Sequence, residues 1–408
     1  MAYRIWQGDG AAIAQSGTIT TTAPSGSTAY SMTVRDEAGQ DTVISYTSTG
    51  TGIPNFAAGL ATAWNNSGSP AAQRATASAA TTGVITFTAD NAGVPFRIAA
   101  TSATAVVGSY IASVANAGPN DWNDPQNWEG GNIASAGNDI IVARGSGAIL
   151  WNLDQSGSGN FASLTVEEGA NGAIGGTDGA SLQLHLVDSA AATNLEINGS
   201  GQIFLTIHRT ATDVAEGAVI VTNHTYKPSA GQHGINLTVA QHASEVLTIP
   251  TLTVNRGNVG VHASDDASAC KITALNMGFV TSAKTDANVT LGKECHATTI
   301  EKTGGYITIK TTTDTSGVTL VQDEGTVVTE GAVVFTTMTL NGGSAVLKST
   351  GTVTTLNINN AFVDMTKDQR VGTVATVKLN KGGSLKKSTT AGTVTSIQSD
   401  DSVTFSAN

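Results

Sequence analysis

The sequence predicts a mainly β protein: a small α+β N-terminal domain followed by a long β-solenoid (β-helix) of roughly twenty-residue coils. Three observations predict it. Gly351-Thr352-Val353-Thr354-Thr355-Leu356 recurs as Gly372-Thr373-Val374-Ala375-Thr376-Val377 and again as Gly392-Thr393-Val394-Thr395-Ser396-Ile397, at spacings of 21 and 20 residues. Charged residues make up only 12% and aromatics 5%, with 46 glycines, and β-branched residues punctuated by Gly and Asn favour strands and turns. Only one segment has persuasive helical periodicity.

Residues 1–30 hold Tyr3, Ile5, Trp6 and Ile13 in a Gly/Ala/Ser/Thr background. They read as an arm that docks on a neighbour, with Tyr3, Ile5 and Trp6 as its contacts, or as a strand completing the first domain. An ordered arm alone buries little, so a partner surface is expected.

Residues 31–117 read as a ββαββ unit. A strand pair is expected at Ser31-Met32-Thr33-Val34 and Thr42-Val43-Ile44-Ser45-Tyr46. The helix runs from about Pro54 to Asn65, because Phe56, Leu60 and Trp64 fall at i, i+4 and i+8 on one face. A strand follows at Val84-Ile85-Thr86-Phe87-Thr88. A turn at Asn91-Ala92-Gly93 then leads to Phe96-Arg97-Ile98.

This unit resembles a small domain of tailed-phage virion proteins. The resemblance lies in the hairpin, the helix Phe56-Ala57-Ala58-Gly59-Leu60-Ala61-Thr62-Ala63-Trp64-Asn65, the Thr-rich strand and Ala92-Gly93-Val94-Pro95-Phe96. It covers about 80 residues and implies a phage structural component, without fixing its station on the virion.

Residues 118–155 read as a Trp-containing capping and linker segment. Trp122-Asn123-Asp124-Pro125-Gln126-Asn127-Trp128 followed by Ala136-Gly137-Asn138-Asp139-Ile140 resembles the opening of many β-solenoid surface proteins. The first coil has an open edge and an open core. Trp122, Trp128 and Trp151 are suited to cover it. A sugar-binding aromatic platform is the alternative use of these rings.

Residues 156–408 form the solenoid. One coil cannot bury its inward row alone; stacking builds a continuous core and pairs every backbone group. Gly351, Gly372 and Gly392 anchor the register. Asn341, Asn359 and Asn380 stand at corners, where Asn and Gly tolerate left-handed backbone and Asn side chains can form ladders. Looser copies run back through Leu320, Ile300, Leu275, Val254 and Ile197. Cys270 and Cys295 lie one coil apart and are too few for a disulfide framework.

Charge divides the chain. Residues 1–226 carry 17 acidic and 6 basic residues, net −11; residues 227–408 carry 14 of each, net 0. The first lysine is Lys227. Such a balance speaks against nucleic acid as a partner. No apolar run reaches the length that spans a bilayer, so no membrane is expected. Met1-Ala2-Tyr3-Arg4-Ile5-Trp6 has no basic-then-apolar leader, which predicts a chain made and folded in a host cytoplasm.

The search for chemistry finds little. The acidic pairs Asp36-Glu37, Glu167-Glu168, Asp265-Asp266 and Asp400-Asp401 are adjacent in sequence, so on a strand their members point to opposite faces. They read as turn charges rather than a glycosidase pair. His224, His233 and His242 recur every 9 residues, but no metal-ligand spacing appears. Gly175-Gly176-Thr177-Asp178-Gly179 hints at a calcium turn without the repeat that such sites need. No catalytic residue, metal or cofactor is expected.

The leading expectation is a non-enzymatic virion protein, a capsid decoration or cement protein projecting a rigid solenoid. Its partners would be the major capsid protein or other virion proteins, in a homotrimeric assembly. A tail fibre or spike adhesin binding a host surface glycan comes second. A polysaccharide-degrading β-helix enzyme and a bacterial surface adhesin follow.

Overall fold

A computed structural model describes the chain except residues 1, 51, 103–105, 187–192, 209–217, 226–231, 241–246, 264–269, 279–286, 312–316, 368–371, 381, 388–392 and 400–408. Two long parallel sheets, of 13 and 11 strands, dominate it. Between the first and last strands of the larger sheet each coil contributes one strand to each sheet, so the chain builds a two-sheet β-solenoid. In the larger sheet strands pair only with the coils before and after, as stacking requires.

One inward column shows why these residues make this fold. Ile140, Leu164, Leu195, Val219, Leu252, Leu275, Ile300, Leu320, Met338, Leu356 and Val377 lie directly over one another in parallel register. Each is at most 2% exposed. The column ends at Ile397, which is 47% exposed on the last described strand. Burying a Leu or Ile side chain contributes about 1.5–3 kcal/mol; one column thus repeats the same stabilisation at every coil.

The coil length varies more than the C-terminal repeat suggests. Along this column the longest step runs from Val219 to Leu252, and the shortest from Leu320 to Met338 and from Met338 to Leu356. The steps from Leu356 to Val377 and from Val377 to Ile397 match the spacing of the glycine repeat. The twenty-residue period therefore belongs to the later coils. Leu320, Ile300 and Leu275 fall in the column as expected. Val254 and Ile197 do not: they share the next inward column, with Met277 and Val221. A shift of two positions keeps a side chain on the same face, which is why the apolar pattern conceals it.

The N-terminal segment divides differently from the expectation. Strand β1 (Tyr3–Trp6) is the first strand of the 13-stranded sheet. It pairs in parallel with a strand at Asp139–Val142, which follows the whole α+β domain in the chain. Strand β2 (Ser16–Thr20) belongs to the α+β domain, where it is flanked by its neighbours in a four-stranded antiparallel sheet. The arm at 1–30 is thus no separate segment. Half of it completes the solenoid and half completes the domain.

The α+β domain is an insertion between β1 and the rest of the solenoid. Its hairpin is β3 (Ala29–Arg35) and β4 (Asp41–Thr47), joined by a helix α1 (Ile53–Asn65) to β5 (Ala75–Ala79), β6 (Val84–Ala89), β7 (Arg97–Thr101) and β8 (Ile111–Val114). The strands form two sheets, ordered β5-β6-β2-β8 and β4-β3-β7. Phe56, Leu60 and Trp64 of α1 are buried. Trp64 Nε1 donates to the Ala75 carbonyl at 2.7 Å, and its ring meets Phe87 edge-on at 4.9 Å. Gly59 lets α1 close on β4, since a Cβ there would lie 2.2 Å from the Tyr46 ring.

Candidate functional site

The solenoid's first end is closed by three indoles. Trp6 stacks on Trp122 at 6.3 Å and meets Trp128 edge-on at 5.3 Å; Trp122 and Trp128 meet edge-on at 4.8 Å. All three are at most 2% exposed. Edge-to-face aromatic pairs gain about 0.5–1.5 kcal/mol beyond burial. Trp6 Nε1 donates to the Gly147 carbonyl at 3.0 Å and Trp128 Nε1 to the Trp122 carbonyl at 2.8 Å. Trp6 therefore packs inside its own chain and is not a contact for a neighbour. Ile5 is half-buried in β1, and Tyr3 is 67% exposed.

The segment between Trp122 and Trp128 holds polar bonds that the sequence analysis did not anticipate. Asp124 caps the short turn Pro125–Asn127 by accepting from Gln126 N–H at 2.9 Å, and its other oxygen accepts from Gly118 N–H at 3.0 Å. Asn127, wholly buried, accepts from Gly10 N–H at 2.7 Å and donates to the Gly118 carbonyl at 2.6 Å and the Asp121 carbonyl at 2.8 Å. These bonds tie together the outgoing and returning chains of the inserted domain. The Asp-Pro-x-Asn spacing, an N-cap signature, was the available signal.

At the far coils the expected corner residues fall on shared lines. Asn380 Nδ2 donates to Asn359 Oδ1 at 2.6 Å, Asn359 Nδ2 to Asn341 Oδ1 at 2.7 Å, and Asn341 Nδ2 to Asp323 Oδ1 at 2.9 Å. An amide both donates and accepts, so one residue type propagates the ladder indefinitely. Gly351 and Gly372 stand at another corner: a Cβ on Gly372 would lie 2.0 Å from the Gly351 carbonyl oxygen. Stacked backbone, not a left-handed angle, demands glycine there. Gly392 lies outside the described residues.

Lys302 and Gln322 are among the polar residues that enter the core. In the column Val254–Met277–Lys302–Gln322–Leu340, Lys302 is 1% and Gln322 0% exposed. Lys302 Nζ donates to the Glu324 carbonyl at 2.6 Å, and Gln322 Nε2 to the Gly342 carbonyl at 2.8 Å. Each reaches a corner carbonyl of the following coil that the ladder leaves inward. Burial, opposed in part by Glu324, lowers the Lys302 amine to about 7.

Histidines pair across coils on the outer face of the smaller sheet. His185 and His208 are in register with rings 5.5 Å apart, and His233 and His262 lie 5.6 Å apart. Burial and the neighbouring His185 lower the His208 imidazole, with Asp154 opposing; burial, His233 and Lys310 lower His262. His224 is buried and bonded to the Gly201 carbonyl at 2.8 Å. His242 lies outside the described residues, as do Asp265-Asp266 and Asp400-Asp401. Among the described residues, no three His, Cys, Asp or Glu side chains gather as metal ligands. Cys270 and Cys295 are buried neighbours in register; their mutual hydrogen bond and burial push the Cys270 thiol up. Asp178 accepts from Ala180 N–H at 3.2 Å within its own turn.

A cleft of about 610 Å³ lies between the α+β domain and the solenoid flank and could take a ligand. Asp36 and Glu37 of the β3–β4 turn and Arg97 of β7 form one wall. Asn152, Asp154 and Gln183 form the other. Glu37 is half-buried and reaches the Asn152 backbone N–H; burial raises its carboxyl, partly opposed by Arg74. Arg74 itself sits 4.9 Å over the Trp151 ring. A smaller recess of about 250 Å³ lies on the other side of Glu37, lined by Trp151, Thr177 and Asp178. No family model matches the chain, and neither a curated protein nor a solved structure matches it.

Proposed function

We propose that the protein is a non-enzymatic structural element, and that the setting implied by the phage-like sequence of its α+β domain is the virion, as a capsid decoration protein. The observation that carries this reading is architectural. One hydrophobic core runs through coil after coil of two parallel sheets, closed by tryptophans at one end and bearing a compact domain there. Such a stack is a rigid rod by construction, because each coil is held by neighbours on both sides. Lys302 and Gln322 in its core each donate to a corner carbonyl of the next coil.

In this reading the inserted domain docks and the solenoid projects. The edge strand β8 is exposed along its whole length, with Ile111 at 66% and Val114 at 43%, and an unpaired edge is a ready site for another chain. The major capsid protein is the proposed partner, with a homotrimer as the assembly. Labelling of virions with an antibody to this chain, read by cryo-EM, tests the reading. Density on the head supports it, density at the tail tip alone transfers it to a fibre or spike adhesin, and no labelled virion removes both. The interdomain cleft is the feature that favours the adhesin. Release of oligosaccharide from host capsule would overturn the non-enzymatic assignment.

A further inference from the structure

We infer that the interdomain cleft, together with the recess that adjoins it across Glu37, is a binding site for a neutral oligosaccharide, with Trp151 in the recess and Arg97 and Asp154 in the cleft. The inference stands apart from where the protein sits on a particle.

The cleft's place, size and lining carry it. The cleft lies where two units meet, and its volume of about 610 Å³ is in the range of pockets that enclose small ligands. Its lining mixes donors and acceptors: Asp36, Glu37 and Asp154 accept, Arg97 donates, and Gln183 offers an amide. Sugar hydroxyls both donate and accept, so they answer such a lining at every position.

The charge pattern narrows the class. An anion would face three carboxylates. A cation would face Arg35 and Arg97 on the wall and Arg74 beyond Glu37. An apolar ligand would strip water from all of them, which is costly without new hydrogen bonds. The apolar residues of the cleft are small or nearly buried, Pro95, Phe96, Ala112, Ala115 and Leu153, and the half-buried Trp151 stands in the adjoining recess. A chain of sugars that crosses Glu37 would lay polar edges in the cleft and meet the indole beside the Arg74 guanidinium that covers one face of its ring.

The five tryptophans make the test direct. Trp6, Trp64, Trp122 and Trp128 are at most 2% exposed, and Trp151 is not, so acrylamide quenching of the intact chain reads Trp151. The probes are maltohexaose, chitohexaose and, as the charged comparison, a hyaluronan hexasaccharide. The expected result is saturable protection of Trp151 by at least one neutral hexasaccharide. Protection should weaken by about tenfold or more in D154A and in R97A, as for anchor contacts in other interfaces. Both side chains are exposed, and unchanged circular dichroism shows that the variants fold. No protection by either neutral probe, protection by hyaluronan alone, or equal protection in the variants overturns the inference.

Discussion

Replacing Lys302 with Met should stabilise the protein at neutral pH and should do so less as the pH rises. Lys302 is 1% exposed, and its column neighbour on the preceding coil is already Met277. Folding lowers its amine from 10.5 to about 7. The unfolded chain therefore binds more protons between those values, and stability rises with pH across that window. At and below pH 7 the full penalty applies; it vanishes as pH approaches 10.5. At about 1.36 kcal/mol per pH unit, the shift sets a ceiling of about 5 kcal/mol. The substitution also orphans the Glu324 carbonyl that Nζ now serves, a loss of about 1–3 kcal/mol. The net expectation is a gain of about 2–3 kcal/mol at pH 7, shrinking toward zero or reversing by about pH 10. Paired denaturant melts of wild type and K302M across this pH window measure it, since the difference between the curves removes every other titrating group. A K302M protein less stable than wild type at neutral pH, or a difference that does not change with pH, would refute the reasoning.

Trp6→Ala should cost about 3–5 kcal/mol and abolish the near-ultraviolet dichroism of the three-indole stack; a change under about 1 kcal/mol would put β1 outside the core. Asn359→Ala removes two rungs of the amide ladder and should cost about 1–2 kcal/mol by chemical denaturation, with Asn359→Asp intermediate because it accepts but cannot donate. Gly372→Ala drives a Cβ against the Gly351 carbonyl and should lower the melting temperature more than Gly68→Ala, where nothing lies within 4 Å. The lowered imidazoles of His208, His224 and His262 mean that the unfolded chain takes up protons first. Stability from this source is full above about pH 6.5 and falls as the pH drops below it; H208N combined with H262N should flatten the difference in melting temperature between neutral and mildly acidic solution.

The parts of this fold that were legible in the sequence are those whose coils repeat with short turns. From Val318 onward the coils are short and nearly equal in length, so Gly351, Gly372 and the asparagine corners recur visibly. Upstream the coils are longer, most of all between Val219 and Leu252, and periodicity dissolves although the inward column is unbroken. Helix α1 was legible because its apolar face is local. β1 was not, because so short a strand takes its identity from a partner at Asp139–Val142 that local patterning cannot supply. Trp122 and Trp128 were assigned to a cap from their composition and position; that Trp6 joins them follows only from the fold. The cleft was invisible for the same reason: Glu37, Asn116 and Asp154 meet only after the domain is inserted beside the first coils.

One distance tests the central claim, that the C-terminal half is a single uninterrupted stack. Thr251 and Ser396 occupy the same outward row, seven coil steps apart through Ala274, Thr299, Thr319, Thr337, Thr355 and Thr376. Parallel strands lie about 4.8 Å apart, which puts the two backbones about 34 Å apart. Spin labels at cysteines introduced at both positions, with Cys270 and Cys295 replaced by alanine, should give one narrow distance distribution near that value by double electron–electron resonance. A broad distribution, or a mean beyond about 50 Å, more than ten strand spacings, would contradict the solenoid.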